Sequence, residues 1–167
     1  ATFRERLATW RGHSVAIPDV EADDVIATCI MRWLNEARGD AIIASTDKDL
    51  HGLIAQGALL WDHFRNEWHD RAWVEGRFGV PPEQLPDLLA LTGDAADGVP
   101  GVRKVGIKTA AKLLQSYGDI EHIMTGAGIL KDAMGERLRQ DAAQLILSRQ
   151  LVALKTDVRL GITWNML

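Results

Sequence analysis

The chain has 167 residues, 47% of them hydrophobic and 25% charged, with a net charge of −4. That length and balance describe one soluble globular domain, or a domain with an appendage. No apolar run approaches the ~18 residues of a membrane span and no signal-peptide pattern opens the chain, so no membrane partner is expected. The one cysteine, Cys29, gives no disulfide framework, lies in an apolar helical pattern, and points to a reducing, cytoplasmic setting.

In chain order, residues 2–12 read as a helix and SVAIP, 14–18, as a short strand. Residues 20–39 read as a helix: Val25, Ile26, Cys29, Ile30, Trp33 and Leu34 form an apolar stripe and Gly39 ends it. AIIAST, 41–46, is the continuous apolar run of a buried parallel strand. A short helix at 48–57, strands at 58–62 and 66–70 and a helix from Arg71 to Gly79 follow. PPEQLPDLLALTG, 81–93, opens on prolines and turns helical. Two helices flank the stretch 93–114, residues 131–154 hold one or two amphipathic helices, and TDVRLGI reads as a final strand. Strands alternating with helices predict an α/β fold, a mostly parallel sheet flanked by helices over 1–80, with an all-helical lobe over 81–167.

The charge is lopsided. Residues 1–97 carry 9 bases and 17 acids, and residues 98–167 carry 10 bases and 6 acids. Arg103, Lys104, Lys108 and Lys112 fall within ten residues with no acid among them.

Three acidic clusters stand out: Glu21, Asp23 and Asp24 in EADD; Asp47 and Asp49 in STDKD; Asp94 and Asp97 in GDAAD. Taken singly, each has a plain structural use. Acids at a helix start cap it and complement its dipole, and aspartates after a strand or in a loop are common turn residues. Together they point elsewhere. Asp47 and Asp49 follow the C-terminal end of the buried strand, where open α/β sheets gather ligands. Seven carboxylates brought together need cations, and hard oxygen donors suit magnesium or manganese. Two such ions clamp the attacking and leaving oxygens of a phosphodiester, so no serine or cysteine nucleophile is required. Without those seven acids the remainder is 16 acids against 19 bases, a balance that suits a polyanionic substrate.

VPGVRKVGIKTAAKLL, 99–114, reads as helix, tight turn, helix, with Gly101 and Gly106 permitting the turn. The second helix starts near Lys108 and Thr109, and its first N–H groups can seat a phosphate. Nothing in it reads base edges, so binding should be sequence-independent and salt-sensitive.

At this point the chain resembles the metal-dependent 5′-nucleases, the family of flap endonucleases and of the 5′→3′ exonuclease domain of bacterial DNA polymerase I. VEADDVIAT, STDKDL and LTGDAADGVPGV-x-x-VG-x-KTA occur in the family's order, and LKTDVRL is similar to its terminal segment. The WDHFRNEWHD segment and short length look most like the small stand-alone exonuclease IX type, though the acids depleted in some of those members are all present here. The resemblance implies a two-metal phosphodiesterase acting on branched or 5′-ended DNA. It implies metal-site roles for Glu21, Asp23, Asp24, Asp47, Asp49, Asp94 and Asp97, all but Glu21 also catalytic, with Mg2+ or Mn2+ as the ions. It implies a helix-three-turn-helix element that meets DNA through Lys104, Val105, Gly106, Ile107, Lys108, Thr109 and Lys112. A K+ ion in that turn would take the carbonyls of Leu91, Thr92, Pro100, Val102 and Val105. A monomer in a bacterial cytoplasm, associated with the nucleoid, is expected.

Two departures stand beside the resemblance. Lys104 occupies the place of the first glycine in the family's G-x-G turn. The family also has an N-terminal region before EADD, with the first sheet strand, further aspartates and a basic helical arch, which does not precede Ala1. The chain therefore looks like part of a nuclease domain, its N-terminal segment a missing partner, and a non-catalytic DNA-binding module is the alternative reading. An RNA-cleaving nuclease has little support. The five histidines show no ligand spacing with cysteine, which speaks against zinc. The six tryptophans sit mostly at apolar positions and are expected in the core, with Trp61 or Trp68 the candidates for stacking on a base.

Overall fold

The computed structural model describes residues 2–10, 12–36 and 39–164. Helix α1 (Phe3–Thr9) comes first, and Arg11 from its expected continuation lies outside the described residues, as do Ala37 and Arg38 of the next. Helix α2 (Ala22–Asn35) carries Asp23 and Asp24 in its first turn and buries Val25, Ala27 and Thr28.

Strand β1 (Ile42–Ala44) is followed by a 3₁₀ helix, Asp49–Gln56, closed by Gly57 at φ 100°. Strands β2 (Leu59–Asp62) and β3 (Glu67–His69) form a hairpin whose turn ends on Asn66 at φ 52°. The strand order is β1-β2-β3. β1 pairs parallel to β2, with Ile43 opposite Leu60, and β2 pairs antiparallel to β3, with Trp61 opposite Trp68. The sheet is thus mixed, and among the described residues no strand pairs with the other edge of β1.

Two stretches expected as strands are not strands. Residues 14–18 run as irregular chain that turns at Asp19, a residue at φ 58°. The segment after Lys155 returns across α2 and bonds to side chains instead of a sheet. Asp24 accepts its Lys155 N–H at 2.8 Å, Thr28 donates to Lys155 O at 3.2 Å, and Val158 N–H reaches Thr28 Oγ1 at 3.3 Å.

Helix α3 (Arg71–Phe78) follows the sheet, and the helical lobe holds a short 3₁₀ turn Pro82–Gln84, α4 (Leu85–Thr92), α5 (Ile107–Tyr117), α6 (Ile120–Ala127), α7 (Ala133–Gln140) and α8 (Ala142–Val152). Asp70 caps α3 through Trp73 N–H and Asp119 caps α6 through His122 N–H, each meeting an otherwise orphaned donor. Leu85, Leu88, Leu91, Leu114, Ile123, Leu138 and Leu145 fill its core without solvent exposure. A smaller core of Ala27, Ile43, Leu50, Leu53 and Leu60 lies beneath the sheet. Ile54 packs against both, so the 3₁₀ helix ties sheet and lobe together.

The tryptophans depart from expectation: among the described residues none is buried, and Trp10 is 79% and Trp68 53% exposed. Cys29 is only half-buried. No helix among the described residues is long and apolar enough to cross a membrane.

Candidate active site

Asp47 and Asp49 leave the chain just past β1, as expected. Their loop is braced from within: Asp47 N–H donates to Ser45 Oγ at 3.0 Å, and Asp49 N–H to Asp47 Oδ1 at 3.1 Å. Asp23 stands half-buried in the first turn of α2, and the exposed Glu21 occupies the N-cap position without a side-chain capping bond. Asp94 and Asp97 lie in a loop closed by two reciprocal bonds of 2.8 Å, Asp94 N–H to Val99 O and Val99 N–H to Asp94 O. Asp94 Oδ1 also accepts Ala96 N–H at 2.8 Å.

The Lys48 ammonium joins the clusters. It binds the Asp94 carboxylate directly and lies 3.6 Å from Asp97 Oδ2 and 4.0 Å from Asp49 Oδ1. Burial pulls its pKa down, but Asp94, Asp49 and Asp97 outweigh that and hold it above the ordinary lysine value. Lys48 in turn, with the Ala96 N–H, draws the Asp94 carboxyl below its ordinary value. Asp23 is pushed up by burial and then by the charges of Asp47, Glu21, Asp24 and Asp97. Asp49 is pushed up by burial and by Asp47, Asp97 and Asp23, against the opposing pull of Lys48. Five of the expected residues, Asp23, Asp47, Asp49, Asp94 and Asp97, therefore share one electrostatic field.

That field fits a divalent cation. Two carboxyls are raised partly by their neighbours' negative charge, which a hard cation would relieve. As placed, no three His, Cys, Asp or Glu side chains among the described residues stand close enough to hold one ion. The positive charge among Asp49, Asp94 and Asp97 is that of Lys48.

Asp24 turns away from the others. It is 6% exposed, with Oδ1 on Lys155 N–H and Oδ2 3.5 Å from Lys155 Nζ. It tethers the C-terminal segment to α2, a role hidden in sequence because the partner is 131 residues away.

The turn expected to hold K+ and DNA is built on close backbone contact. Gly93 has φ 71° and Gly101 φ 65°, and a Cβ on Gly101 would stand 2.5 Å from Gly93 N. Only glycine permits both the left-handed conformation and that approach. Leu91 O accepts Val102 N–H at 2.8 Å, and Val102 O accepts Val105 N–H at 3.1 Å, so each carbonyl keeps one lone pair for a cation. Thr92 donates its hydroxyl to Leu89 O at 3.3 Å, Pro100 is exposed and Val105 is buried. Gly106 has an extended backbone, φ −101°; beside Gly101, the left-handed residue of the turn is Lys104, at φ 61°. Gly106 instead caps α5, whose bonding begins with Thr109 and Ala110 N–H on Gly106 O. Lys104, Ile107, Lys108 and Lys112 are exposed and Thr109 is half-buried.

Arg103 is withheld from that surface. Its Nε donates to Asp141 Oδ1 at 2.9 Å, its backbone N–H to Asp141 Oδ2, and its Nη2 to Gln140. Helix α8 holds the turn from below: Gly101 N–H donates to buried Ser148 at 2.9 Å, and Gln144 donates to Gly101 O at 3.0 Å. Sequence reasoning missed these supports and the buried pair His51 and His69, all of which depend on long-range partners. Lys48, between Asp47 and Asp49 in the sequence, was the one legible addition. A cleft of about 1240 Å³ is lined by Leu53, Pro86, Ile120, Met124 and Leu154, and its arginine, Arg149, is already paired with Asp87 and Glu121.

In class, this is the fold of a solved phage 5′-exonuclease: the T5 5′-exonuclease determined with divalent zinc ions superposes at a TM-score of 0.79, with 23% identity, over 90% of this chain and 56% of that one. The bacteriophage T5 flap endonuclease solved with DNA and metal ions matches at the same TM-score, 22% identity, over 91% of this chain and 56% of that one. The chain itself belongs to the 5′-3′ exonuclease family: residues 1–79 match its N-terminal resolvase-like domain and residues 80–167 its C-terminal SAM fold. It is 36% identical to the flap endonuclease Xni of Shewanella amazonensis, over 95% of this chain and 62% of that protein. It is 37% identical to the Xni of Pectobacterium carotovorum subsp. carotovorum, over 93% of this chain and 57% of that protein. DNA polymerase I of Rhizobium leguminosarum is 38% identical over 96% of this chain and 16% of its own length. The chain thus spans less than two thirds of each of these relatives.

Proposed function

We propose that the protein is a structure-specific 5′-nuclease that hydrolyses phosphodiester bonds in branched or 5′-ended DNA with two divalent cations, Mg2+ or Mn2+. The observation that carries this reading is the shared field of Asp23, Asp47, Asp49, Asp94 and Asp97, of which Asp94 and Asp97 lie on the same backbone segment as an exposed basic turn. These five would hold the ions, with Glu21 at their rim. Bound divalent cations supply Lewis-acid stabilisation of the reacting phosphate and activation of water.

The chain's own residues do the rest. Lys104, Lys108 and Lys112 attract phosphates, and the first N–H groups of α5 can seat one. Gly106 and Ile107 leave that helix end open to the backbone of a duplex. The lone pairs left on Leu91 O and Val102 O, with carbonyls of Thr92, Pro100 and Val105, are the proposed seat of a K+ ion. Beside β1 lies a groove of about 560 Å³ lined by Val15, Ile17, Ile26, Cys29 and Ile42. Its apolar lining and the β1 edge that no described strand pairs support the reading that a further strand of the same protein pairs there.

Magnesium-dependent cleavage of a 5′-flap by the full-length protein tests the proposal. Asp47→Asn should abolish cleavage and spare DNA binding; intact binding with no cleavage by the wild type would sink it. Lys108→Ala should weaken binding on all sequences alike. One observation favours a second reading for this chain alone, DNA binding without cleavage: no three acids, as placed, close around one ion among the described residues. That reading expects salt-sensitive, chelator-insensitive binding and no products.

A further inference from the structure

His51 and His69 lie directly behind the Asp47–Asp49 loop, 2% and 4% exposed, and the proposed chemistry uses neither. His51 Nδ1 stands 3.0 Å from Asp47 O and 3.2 Å from Lys48 O. Carbonyl oxygens only accept, so Nδ1 carries the proton. His51 is enclosed at 2% exposure, a setting that disfavours a charge on its ring. A neutral imidazole has one N–H, which leaves His51 Nε2 as a bare acceptor. His69 Nδ1 lies 2.8 Å from that acceptor and therefore donates to it.

The direction of the chain is set at its far end, by the two carbonyls. His69 Nε2, the remaining nitrogen, is buried without a hydrogen-bond partner, 3.6 Å from Glu67 Oε2. The His69 ring is clamped flat on Trp73, with centroids 3.5 Å apart and planes 12° from parallel. Trp73 is fixed in turn by Asp70 through its N–H and by Glu67 through Nε1, at 2.8 and 3.2 Å. A rigid ring stack thus ends on the carbonyl of the peptide joining Asp47 to Lys48. Fixing that peptide fixes where the side chains of Asp47 and Asp49 leave the backbone.

We propose that His69 is a positioning residue that, acting through His51, holds the Asp47–Lys48 peptide and with it the carboxylates of Asp47 and Asp49. Its relevance to cleavage rests on the nuclease reading; the relay itself does not need a metal. In the 15N-labelled chain, long-range proton–nitrogen spectra should show both rings protonated at Nδ1. His69→Phe keeps the stack on Trp73 and removes the donor, and should speed hydrogen exchange at the Asp49 and His51 amides about tenfold while leaving Leu114 unchanged. His69→Asn places an N–H where Nδ1 was and should restore exchange to within about threefold of wild type. An Nε2–H tautomer at His51, or equal exchange in wild type and His69→Phe, overturns the relay. The tautomer measurement uses the wild type and stands even if a variant fails to fold.

Titration with Mn2+ alone, read by water proton relaxation, separates the two ideas. Weaker Mn2+ binding in His69→Phe with recovery in His69→Asn supports the positioning role; unchanged affinity in His69→Phe overturns it. A wild-type chain that binds no Mn2+ counts against the metal-site reading and not against the relay, which the exchange data decide.

Discussion

The Lys48 ammonium and the Asp94 carboxylate, 46 residues apart in sequence, form the contact that joins the sheet's acidic loop to the acidic loop of the helical lobe. The contact is a local neutralisation: one fixed cation stands among Asp49, Asp94 and Asp97, whose mutual repulsion would otherwise push the two loops apart.

Lys48→Met keeps the aliphatic stem and removes the charge. In chelator the variant should be less stable by about 1 kcal/mol, a loss of a few degrees in melting temperature, because a pair this exposed is partly screened by water. Added Mg2+ should close most of the gap. Calorimetry with and without the ion checks this, and equal melting temperatures in chelator would remove Lys48 from the account.

Asp24 and Asp47 should separate structural from chemical carboxylates. Asp24→Ala leaves the Lys155 N–H without its acceptor and should cost about 1–3 kcal/mol while sparing Mn2+ affinity. Asp47→Asn should do the reverse: near-normal stability in denaturant titration, with Mn2+ affinity and cleavage lost. Loss of metal affinity in Asp24→Ala at full stability would return Asp24 to the metal site.

Lys104→Gly tests the turn. A side chain at φ 61° carries strain of about 1–2 kcal/mol that glycine lacks, offset in part by glycine's larger unfolded-state entropy. The variant should be equal to wild type or slightly more stable, by up to about 1 kcal/mol. Its DNA affinity should fall, with the slope against salt reduced by about one phosphate contact. Lys104→Ala should lose the same affinity without the gain in stability. A stability loss in Lys104→Gly would mean that the lysine stem, not its charge, matters there.

Stability should also depend on pH through His51, whose folded pKa lies below its ordinary 6.5 because of burial and His69. The unfolded chain binds the proton first as pH falls. Stability is therefore full above pH ~6.5 and declines below it toward the folded pKa. His51→Gln should flatten that decline in denaturant titrations between neutral and mildly acidic pH; an unchanged decline would place its source elsewhere.

Much of this was legible in local pattern. The stripe of α2, the apolar run of β1 and the proline-led α4 are short-range signals, and the acids after β1 sit where the period of the chain puts them. The failures share one cause. Residues 14–18 and the segment after Lys155 have strand-like composition, but their bonding partners decide their state, and those partners are a turn at Asp19 and the side chains of Asp24 and Thr28. Arg103 counted among the run of bases, and its guanidinium is taken by Asp141, 38 residues on. Gly106 drew attention by its residue type, although the left-handed position fell on Lys104, whose type argues against it. Helix α6 drew no signal of its own, since its cap, Asp119, and its buried face, Ile120 and Ile123, matter only once Asp87 accepts the Ile120 N–H.

The reciprocal bonds between Asp94 and Val99 close residues 94–99 into a ring of backbone. That ring carries acids on one side and leads directly into the basic turn on the other, with Gly93 against Gly101 and no flexible linker between. Under the proposed function, the spacing between the held phosphate and the broken bond is a property of covalent geometry. Any scatter in cut position must then originate in the nucleic acid, in fraying or migration of the junction before capture. Products differing by one nucleotide would report the DNA's own motion, recorded by a protein that does not share it.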